Sequence, residues 1–499
     1  MRTTTDAPLT QSRRAATAAA AGILMAGPTA LAFFSGGYFD RARLVAGIVA
    51  WALVLAAAVA APSPFLPTRT AALAVGALTA FVAWSALSVM WAPLAGPAIG
   101  DVQRVLLYLG YVLAAVALFR RRWVARSLEP VLAGGALLVI SYGLSERLLP
   151  DLVTLDRSVT AGGRLEQPLT YWNAMGALAA IGLVLGVRIA GDHARNRTLR
   201  GAAAAAVVPL AAGMYLTFSR GVLAAVAVGI VALPALAPTR QQLRAAAATL
   251  APGIAAALVA SALPAVRTLG GSAPTRRTEG LVLLVSLVAL AALAAWLTLR
   301  RASDRADRIA LPRGSRRWLI AGVAVALAGA TLAAAALEAR PVARTPAFGA
   351  TGARLGSLNS NRYAYWRVAI ESFAHRPLTG TGTAGFGAEW LRKRKTRDPT
   401  REPHSLYIGA LAELGLVGLA ALLAFVAAVA VAAQRLVRAN WTLAAGPAAA
   451  LLVYAVHAAV DWDWEMPALT LVALALAAAL LAWAPAPAAE SSSAARRAD

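Results

Sequence analysis

A histidine and a serine stand together where a polar segment passes into a long apolar run. His404 and Ser405 follow Pro403 and precede Leu406 and Tyr407. Because a free imidazole has a pKa of about 6.5, His404 can exchange a proton near neutral pH. Taken alone, a histidine in this position is more often a capping or interfacial residue than a catalyst. His404 is therefore a candidate general base whose role depends on its partners.

An arginine occupies a short polar turn between two apolar runs. The turn consists of Thr217, Phe218, Ser219, Arg220 and Gly221. A charge inside a bilayer costs roughly 3 kcal/mol or more unless it is paired or hydrated. We therefore expect the turn to lie at a membrane boundary, where Arg220 either holds a phosphate group or extends to lipid headgroups.

Another histidine is paired by spacing with a carboxylate. His457 and Asp461 are four residues apart, so both project from one face of a predicted helix. Two tryptophans and two acidic residues follow at 462–465. This pattern favours an aromatic belt with acidic neighbours at the membrane interface over a reactive group.

Three glycines form a G-x-G-x-x-G pattern at Gly380, Gly382 and Gly385. The pattern indicates dinucleotide binding when a strand precedes it. No strand is predicted here, so we expect these glycines to turn the chain after Pro377.

The composition places these residues in a membrane protein. Of the 499 residues, 59% are apolar and 14% are charged, which departs from the composition of globular domains. The absence of cysteine excludes disulfides and thiolate metal sites, and the presence of only four histidines argues against a zinc site of nitrogen ligands. We expect no cofactor. The net charge of +24 arises from short arginine clusters between apolar runs. This distribution indicates loops that face anionic lipid and argues against a nucleic-acid partner.

A membrane-spanning helix needs roughly 20 apolar residues, and about fourteen such runs are predicted. Their positions are 16–36, 44–62, 70–91, 103–119, 130–148, 169–187, 201–218, 221–237, 245–265, 280–299, 318–337, 405–434, 441–460 and 467–484. Lys and Arg accumulate in alternate short loops, which favours an even number of spans with both termini in the cytoplasm. Arg13 and Arg14 precede the first run, which we expect to be a membrane helix and not a cleaved leader. The sequence thus predicts an all-α, polytopic integral membrane protein with about 12 to 14 spans.

The predicted spans divide the chain into five regions. Residues 1–160 and 161–337 carry the N-terminal and central spans, the latter including the Arg220 turn. Residues 338–404 form one large extracytoplasmic loop, and 405–484 carry the last spans before a disordered tail at 485–499. Within the loop, Tyr363, Trp366, Ile370 and Phe373 recur at helical spacing before Pro377. This predicts a short amphipathic helix on the membrane surface.

Taken in order, these motifs resemble the O-antigen ligase and polysaccharide polymerase superfamily of bacterial membrane glycosyltransferases. The strongest match is the pair His404 and Ser405 followed by Gly415 and Gly418. The resemblance covers roughly residues 160–480. Its other motif residues are Gly163, Arg164, Tyr171, Trp172, Asn173, Ser219, Arg220, Gly221, Arg362, Trp366, Pro377, Gly380, Gly382 and Glu413. Family members commonly have about twelve spans, so the span count in this chain is open between 12 and 14.

The resemblance implies a function. Members transfer a glycan from undecaprenyl diphosphate to an acceptor hydroxyl outside the bacterial cytoplasmic membrane, without a metal. On this resemblance we expect His404 to be the catalytic residue, which activates the acceptor hydroxyl or orients the leaving phosphate. We expect Arg220, Arg362 and, with less support, Arg164 to bind the diphosphate. Supporting positions are Ser219, Asn173, Tyr407, Glu413 and Asp461.

Two questions stay open at the level of sequence. A transporter or flippase for a lipid-linked glycan would also carry arginines, although it should place polar or broken segments at the bilayer midplane. The acceptor is a lipid core, a growing glycan or a protein, and no motif distinguishes them.

Overall fold

Every regular element is helical in the computed structural model, which describes residues 11–60, 66–300, 309, 349–351 and 360–485. This confirms the predicted all-α class. The helices are α1 Gln11–Ala32, α2 Asp40–Ala60, α3 Arg69–Ser88, α4 Ala95–Leu118, α5 Arg122–Leu148, α6 Trp172–Gly191, α7 Arg197–Leu216, α8 Arg220–Leu236, α9 Arg240–Ala262, α10 Pro264–Thr268, α11 Ala273–Arg300, α12 Arg362–His375, α13 Phe386–Lys393, α14 Leu406–Ala458 and α15 Pro467–Trp483.

The apolar helices have the lengths that a bilayer requires. Ten of the described helices are long and apolar enough to span a membrane, and α8 and α15 are shorter apolar helices. The 53-residue α14 has non-helical backbone at Asn440, which divides it into two arms that correspond to the predicted spans 405–434 and 441–460. The predicted span 318–337 and nearly all of the predicted tail lie outside the described residues. The polytopic membrane architecture is confirmed.

The described part of the long polar segment packs on one end of the bundle, which we call the loop end. Ser88, Leu216, Leu406 and Ala458 mark helix termini at this end. The backbone N–H of Thr383 donates to Ser88 Oγ at 3.0 Å, which ties the segment to α3. Because the helices reverse direction in turn, the short turns before α8 and after α14 also lie at the loop end.

The predicted amphipathic helix exists as α12, but its buried face differs from the predicted stripe. The buried residues are Tyr365, Val368, Ala369 and Ser372, whereas Ile370 is exposed. Tyr365, Val368 and Ala369 pack with residues of α13 and with Ala412 of α14. Contacts with the protein therefore select the buried face of α12, because α13 offers the large Phe386 and Trp390 side chains.

The turn that contains the three glycines packs against an interruption near the start of α14. The N–H of Thr381 donates to the Ala412 carbonyl at 3.0 Å, and that of Gly382 donates to the Glu413 carbonyl at 2.8 Å. Gly380 and Gly415 both have φ of +64°, a backbone conformation that is strained for residues other than glycine. A Cβ at Gly380 would lie 2.3 Å from the Glu413 carbonyl carbon. The glycines serve this backbone contact, in agreement with their predicted role in turning the chain.

Replacing Gly380 with alanine should destabilise the loop end. The left-handed backbone alone costs about 1–3 kcal/mol for a residue other than glycine, and the steric overlap with α14 adds to it. We expect a lower midpoint of thermal unfolding in nanodiscs. Gly387→Ala is the matched control, since a Cβ there meets its nearest atoms at 3.5 Å and the site is helical. Equal melting of both variants would contradict the tight contact.

Candidate active site

His404 lies at the loop end, directly before α14. Ser405 is the N-cap of that helix, and its Oγ accepts a hydrogen bond from Ile408 N at 3.3 Å. His404 has φ of +57°, an uncommon backbone for a residue with a side chain. Its Nδ1 lies 3.0 Å from the Glu402 carbonyl oxygen, which can only accept, so Nδ1 carries the proton. The Nε2 atom of the neutral ring is then the one that can receive a proton.

Burial keeps the His404 ring neutral. The pKa of His404 is lowered to about 4, mainly by desolvation and further by the charge of Arg362, while Asp461 opposes the shift. The ring stacks at a tilt against Tyr365, with 5.3 Å between ring centroids, and Trp462 lies at 6.2 Å. At neutral pH the imidazole is therefore in the form that can accept a proton.

Arg362 and Asp461 form an ion pair beside His404. Arg362 Nη2 lies 2.5 Å from Asp461 Oδ2, and the carboxylate is fully buried. The Tyr171 hydroxyl donates to Asp461 Oδ1 at 2.6 Å, and Asn173 Nδ2 donates to that hydroxyl at 2.7 Å. Burial opposes ionisation, but Arg362 and His457 outweigh it and lower the pKa of Asp461. This chain of contacts joins α6, α12 and the turn after α14, and it fixes the direction of the Arg362 side chain.

His457 lies between two buried carboxylates, those of Asp461 and Asp463. His457 Nδ1 lies 2.6 Å from Asp463 Oδ2, and its Nε2 lies 3.9 Å from Asp461 Oδ2. His457, Asp461 and Asp463 are fully buried. The predicted interfacial belt is therefore wrong for these residues. The four-residue spacing correctly indicates that His457 and Asp461 lie close together. The spacing does not indicate that His457 is buried, because α8 packs over it at Gly221.

The Arg220 turn lies against this cluster. Ser219 caps α8, and its Oγ accepts from Val222 N at 3.5 Å. A Cβ on Gly221 would lie 3.3 Å from His457 Cδ2, so the glycine permits close packing on α14. Arg220 is half-buried at the N-terminus of α8, and the positive charge of Arg362 acts on it. The Arg220 guanidinium thus lies at the positive end of the α8 dipole, within the electrostatic reach of Arg362.

Arg164 lies in a separate hollow. Its guanidinium stacks on the Trp172 ring at 3.5 Å and donates to the carbonyls of Ala161 and Thr160 at 2.6 Å each. This hollow is lined by Glu146, Arg147, Arg157 and Glu166 among others, and His404 is not part of its lining. Arg164 and His404 line different hollows, and the arginine fork holds the carbonyls of its own loop. A role in donor binding stays a prediction.

The remaining predicted positions support the framework. The Tyr407 hydroxyl donates to the Ala455 carbonyl at 3.3 Å and links the two arms of α14. Glu413 Oε1 accepts from Phe386 N at 3.1 Å and thereby holds the start of α13 on α14. These side chains orient the elements that carry His404 and Arg362.

His404 also lines a cleft, open to solvent, that the sequence did not predict. We call it the acidic cleft, because four acidic residues and one arginine line it beside the neutral His404 ring. They are Asp101, Arg104, Glu402, Glu413 and Glu465. Arg104 Nη1 lies 2.9 Å from Asp101 Oδ1 and also pairs with Glu465. The residues come from α4, the end of the polar segment, α14 and the turn before α15, so no local spacing could reveal them.

One family of known proteins matches part of the chain. The family model described as O-antigen ligase matches residues 276–423. The match includes Arg362, His404 and Glu413 and does not extend to Arg164, Arg220 or Asp461. A search of curated proteins finds no match. The family match confirms the predicted resemblance to the O-antigen ligase superfamily and supports a membrane glycosyltransferase of the ligase or polymerase type.

Proposed function

We propose that this chain, which carries the O-antigen ligase family match, transfers a glycan from undecaprenyl diphosphate to an acceptor hydroxyl at the loop end of the bundle. The observation that carries the proposal is the position of His404 beside the Arg362–Asp461 pair, with Arg220 acted on by the same charge. These positions support a site in which a proton acceptor works beside cations that suit a diphosphate.

The two arginines match the leaving group. As the glycosidic bond breaks, negative charge accumulates on the diphosphate oxygens. A guanidinium holds such oxygens by two parallel hydrogen bonds and stays charged throughout. At 4 Å and an effective dielectric of 20, each charge pair contributes up to about 4 kcal/mol before desolvation. In this proposal Arg220 and Arg362 supply the charge stabilisation, and the reaction needs no metal or cofactor.

His404 acts on the acceptor. The acceptor oxygen attacks the anomeric carbon and its proton passes to His404 Nε2, while the bond between that carbon and the phosphate oxygen breaks. The electron pair leaves with undecaprenyl diphosphate. The bound diphosphate adds negative charge beside the ring, which raises the pKa of His404 towards the working pH. A single displacement of this kind inverts the anomeric configuration.

The proposal includes an orientation. The loop end faces the outside of the bacterial cytoplasmic membrane, and both termini lie in the cytoplasm. Arginine clusters such as Arg120–Arg122 at the opposite end support it, since positive loops stay on the cytoplasmic side. The acceptor is a lipid core, a growing glycan or a protein.

A transfer assay separates the enzyme from the alternative transporter or flippase. The purified full-length protein is placed in proteoliposomes with an undecaprenyl diphosphate that carries a labelled oligosaccharide. A lipid core oligosaccharide, an uncharged glycoside and a hydroxyl-rich peptide are offered as acceptors. We expect acceptor-dependent release of undecaprenyl diphosphate and a labelled product. Movement of intact donor across the bilayer without release would favour the transporter and contradict the proposal.

A further inference from the structure

Opposite charges lie on the two sides of His404. The arginines proposed to hold the diphosphate, Arg220 and Arg362, are not among the residues that line the acidic cleft. Within the cleft, four carboxylates surround the single guanidinium of Arg104. A negatively charged ligand fits the arginine side, whereas the carboxyl groups of the cleft offer it no attraction and its one guanidinium is already paired. If the donor occupies the arginines, the acidic cleft is the place from which an acceptor reaches His404.

We propose that the acidic cleft binds the acceptor and selects an uncharged, hydroxyl-rich acceptor over a phosphorylated one. The inference rests on the proposed transfer reaction, and it names the substrate class at the acceptor side. It narrows the acceptor to a sugar whose contacts are hydroxyl groups.

The cleft is a built polar site. The Arg104 side chain is 7% exposed and lies between Asp101 and Glu465. Its Nε has no hydrogen-bond partner among the residues that the structure describes, so one buried donor remains for a ligand oxygen. Thr383 Oγ1 donates to Asp101 Oδ2 at 3.2 Å, which holds that carboxylate in place.

The chemistry of the lining matches sugar hydroxyls. An ionised carboxylate only accepts hydrogen bonds, and each sugar hydroxyl brings one donor. Burial, followed by the charges of neighbouring acidic groups, raises the pKa of Glu402, and burial raises that of Glu465 to about 7. A protonated carboxyl both donates and accepts, so it also suits a hydroxyl and does not attract phosphate. Trp462 and Trp464 add apolar ring surface to the lining.

A bound metal ion is the other occupant that carboxylates suggest. Among the residues with described positions, no group of three or more His, Asp or Glu is arranged to hold a metal ion. The pairing of Arg104 with Asp101 and Glu465 also places a cation where a metal would have to lie. A neutral, hydroxyl-bearing ligand fits the lining better.

Binding can be measured without any transfer. Full-length protein in nanodiscs is titrated with the methyl glycosides of glucose, galactose and mannose, each as the neutral sugar and as the 6-phosphate, by saturation-transfer NMR. We expect at least one neutral glycoside to bind, with its 6-phosphate weaker by about tenfold or more because like charges repel. Equal or tighter binding of the phosphates, or no binding of any neutral glycoside, would overturn the proposal.

Variants assign this selectivity to the cleft. In Glu402→Gln with Glu465→Gln, the discrimination against phosphate should fall to about threefold or less, because Arg104 loses its partner Glu465 and neither glutamine can take up a negative charge. Glu402→Gln alone should give an intermediate ratio and leaves the Arg104 pair intact. Glu371→Gln, at an exposed carboxylate of α12, is the matched control and should keep the full ratio. An unchanged ratio in the double variant would reject the cleft as the acceptor site.

The two proposals fail separately in these experiments. Selective glycoside binding without release of undecaprenyl diphosphate would leave a glycan-binding cleft and reject the transferase. Release of undecaprenyl diphosphate in a protein that prefers phosphorylated glycosides would support the transferase and reject the selectivity proposed for the cleft.

Discussion

Replacing His404 with alanine should lower the turnover number of glycan transfer by about 10²–10⁴-fold, the usual contribution of a positioned general base. The ring is held neutral by burial, and its Nδ1 proton is directed to the Glu402 carbonyl. Nε2 is therefore available to the acceptor hydroxyl. Without it, the proton must pass to water in a largely enclosed site. Single-turnover release of undecaprenyl diphosphate measures the chemical step directly.

The control for this variant is His375→Ala, which removes an exposed imidazole from the last turn of α12. Activity should be unchanged there. The thermal midpoint of His404→Ala should stay close to that of the unmodified protein, because alanine relieves the burial of a polar ring. Near-normal turnover in a folded His404→Ala protein would remove the imidazole from the mechanism.

Much of the fold follows from local patterns. Apolar runs of bilayer length determine where the spans lie. The two arms of α14 are separate apolar runs in the sequence, with the short stretch 435–440 between them. Likewise, Ser219 and Ser405 are N-caps where a polar residue precedes an apolar run. These features depend on neighbours in sequence, so a single sequence is enough to locate them.

The site is harder to predict from the sequence, because its charged residues are far apart along the chain and come together only in the fold. Arg104 contacts Glu465, and Tyr171 contacts Asp461, although each residue alone resembles an ordinary interfacial group. The helical spacing of α12 was visible, but its buried face depends on α13. The hydrogen bonds of Arg164 to the carbonyls of its own loop are likewise not evident from its motif, and its role in donor binding stays a prediction. Packing between helices decides these cases.

The arginines offer a second test with a large effect. Arg362→Lys and Arg220→Lys should each lower kcat/KM for transfer by about 10²-fold, the range seen when one charge-stabilising donor is removed. Lysine keeps the positive charge but offers a point charge in place of the two parallel N–H bonds. At Arg362 the loss should be greater, because the fork must contact Asp461 and the diphosphate together. Steady-state kinetics against donor concentration measure both constants.

Arg397→Lys is the matched control, since it makes the same change at an exposed position of the polar segment. Its kinetics should be unchanged. If Arg220→Lys also behaves like the control, Arg220 extends to lipid headgroups and takes no part in donor binding. If Arg362→Lys behaves so, the ion pair with Asp461 serves only the fold. If both variants lose kcat/KM while their thermal midpoints are unchanged, transfer depends on the geometry of the guanidinium and not merely on its charge. This is the result expected for arginines that hold phosphate oxygens while the glycosidic bond breaks.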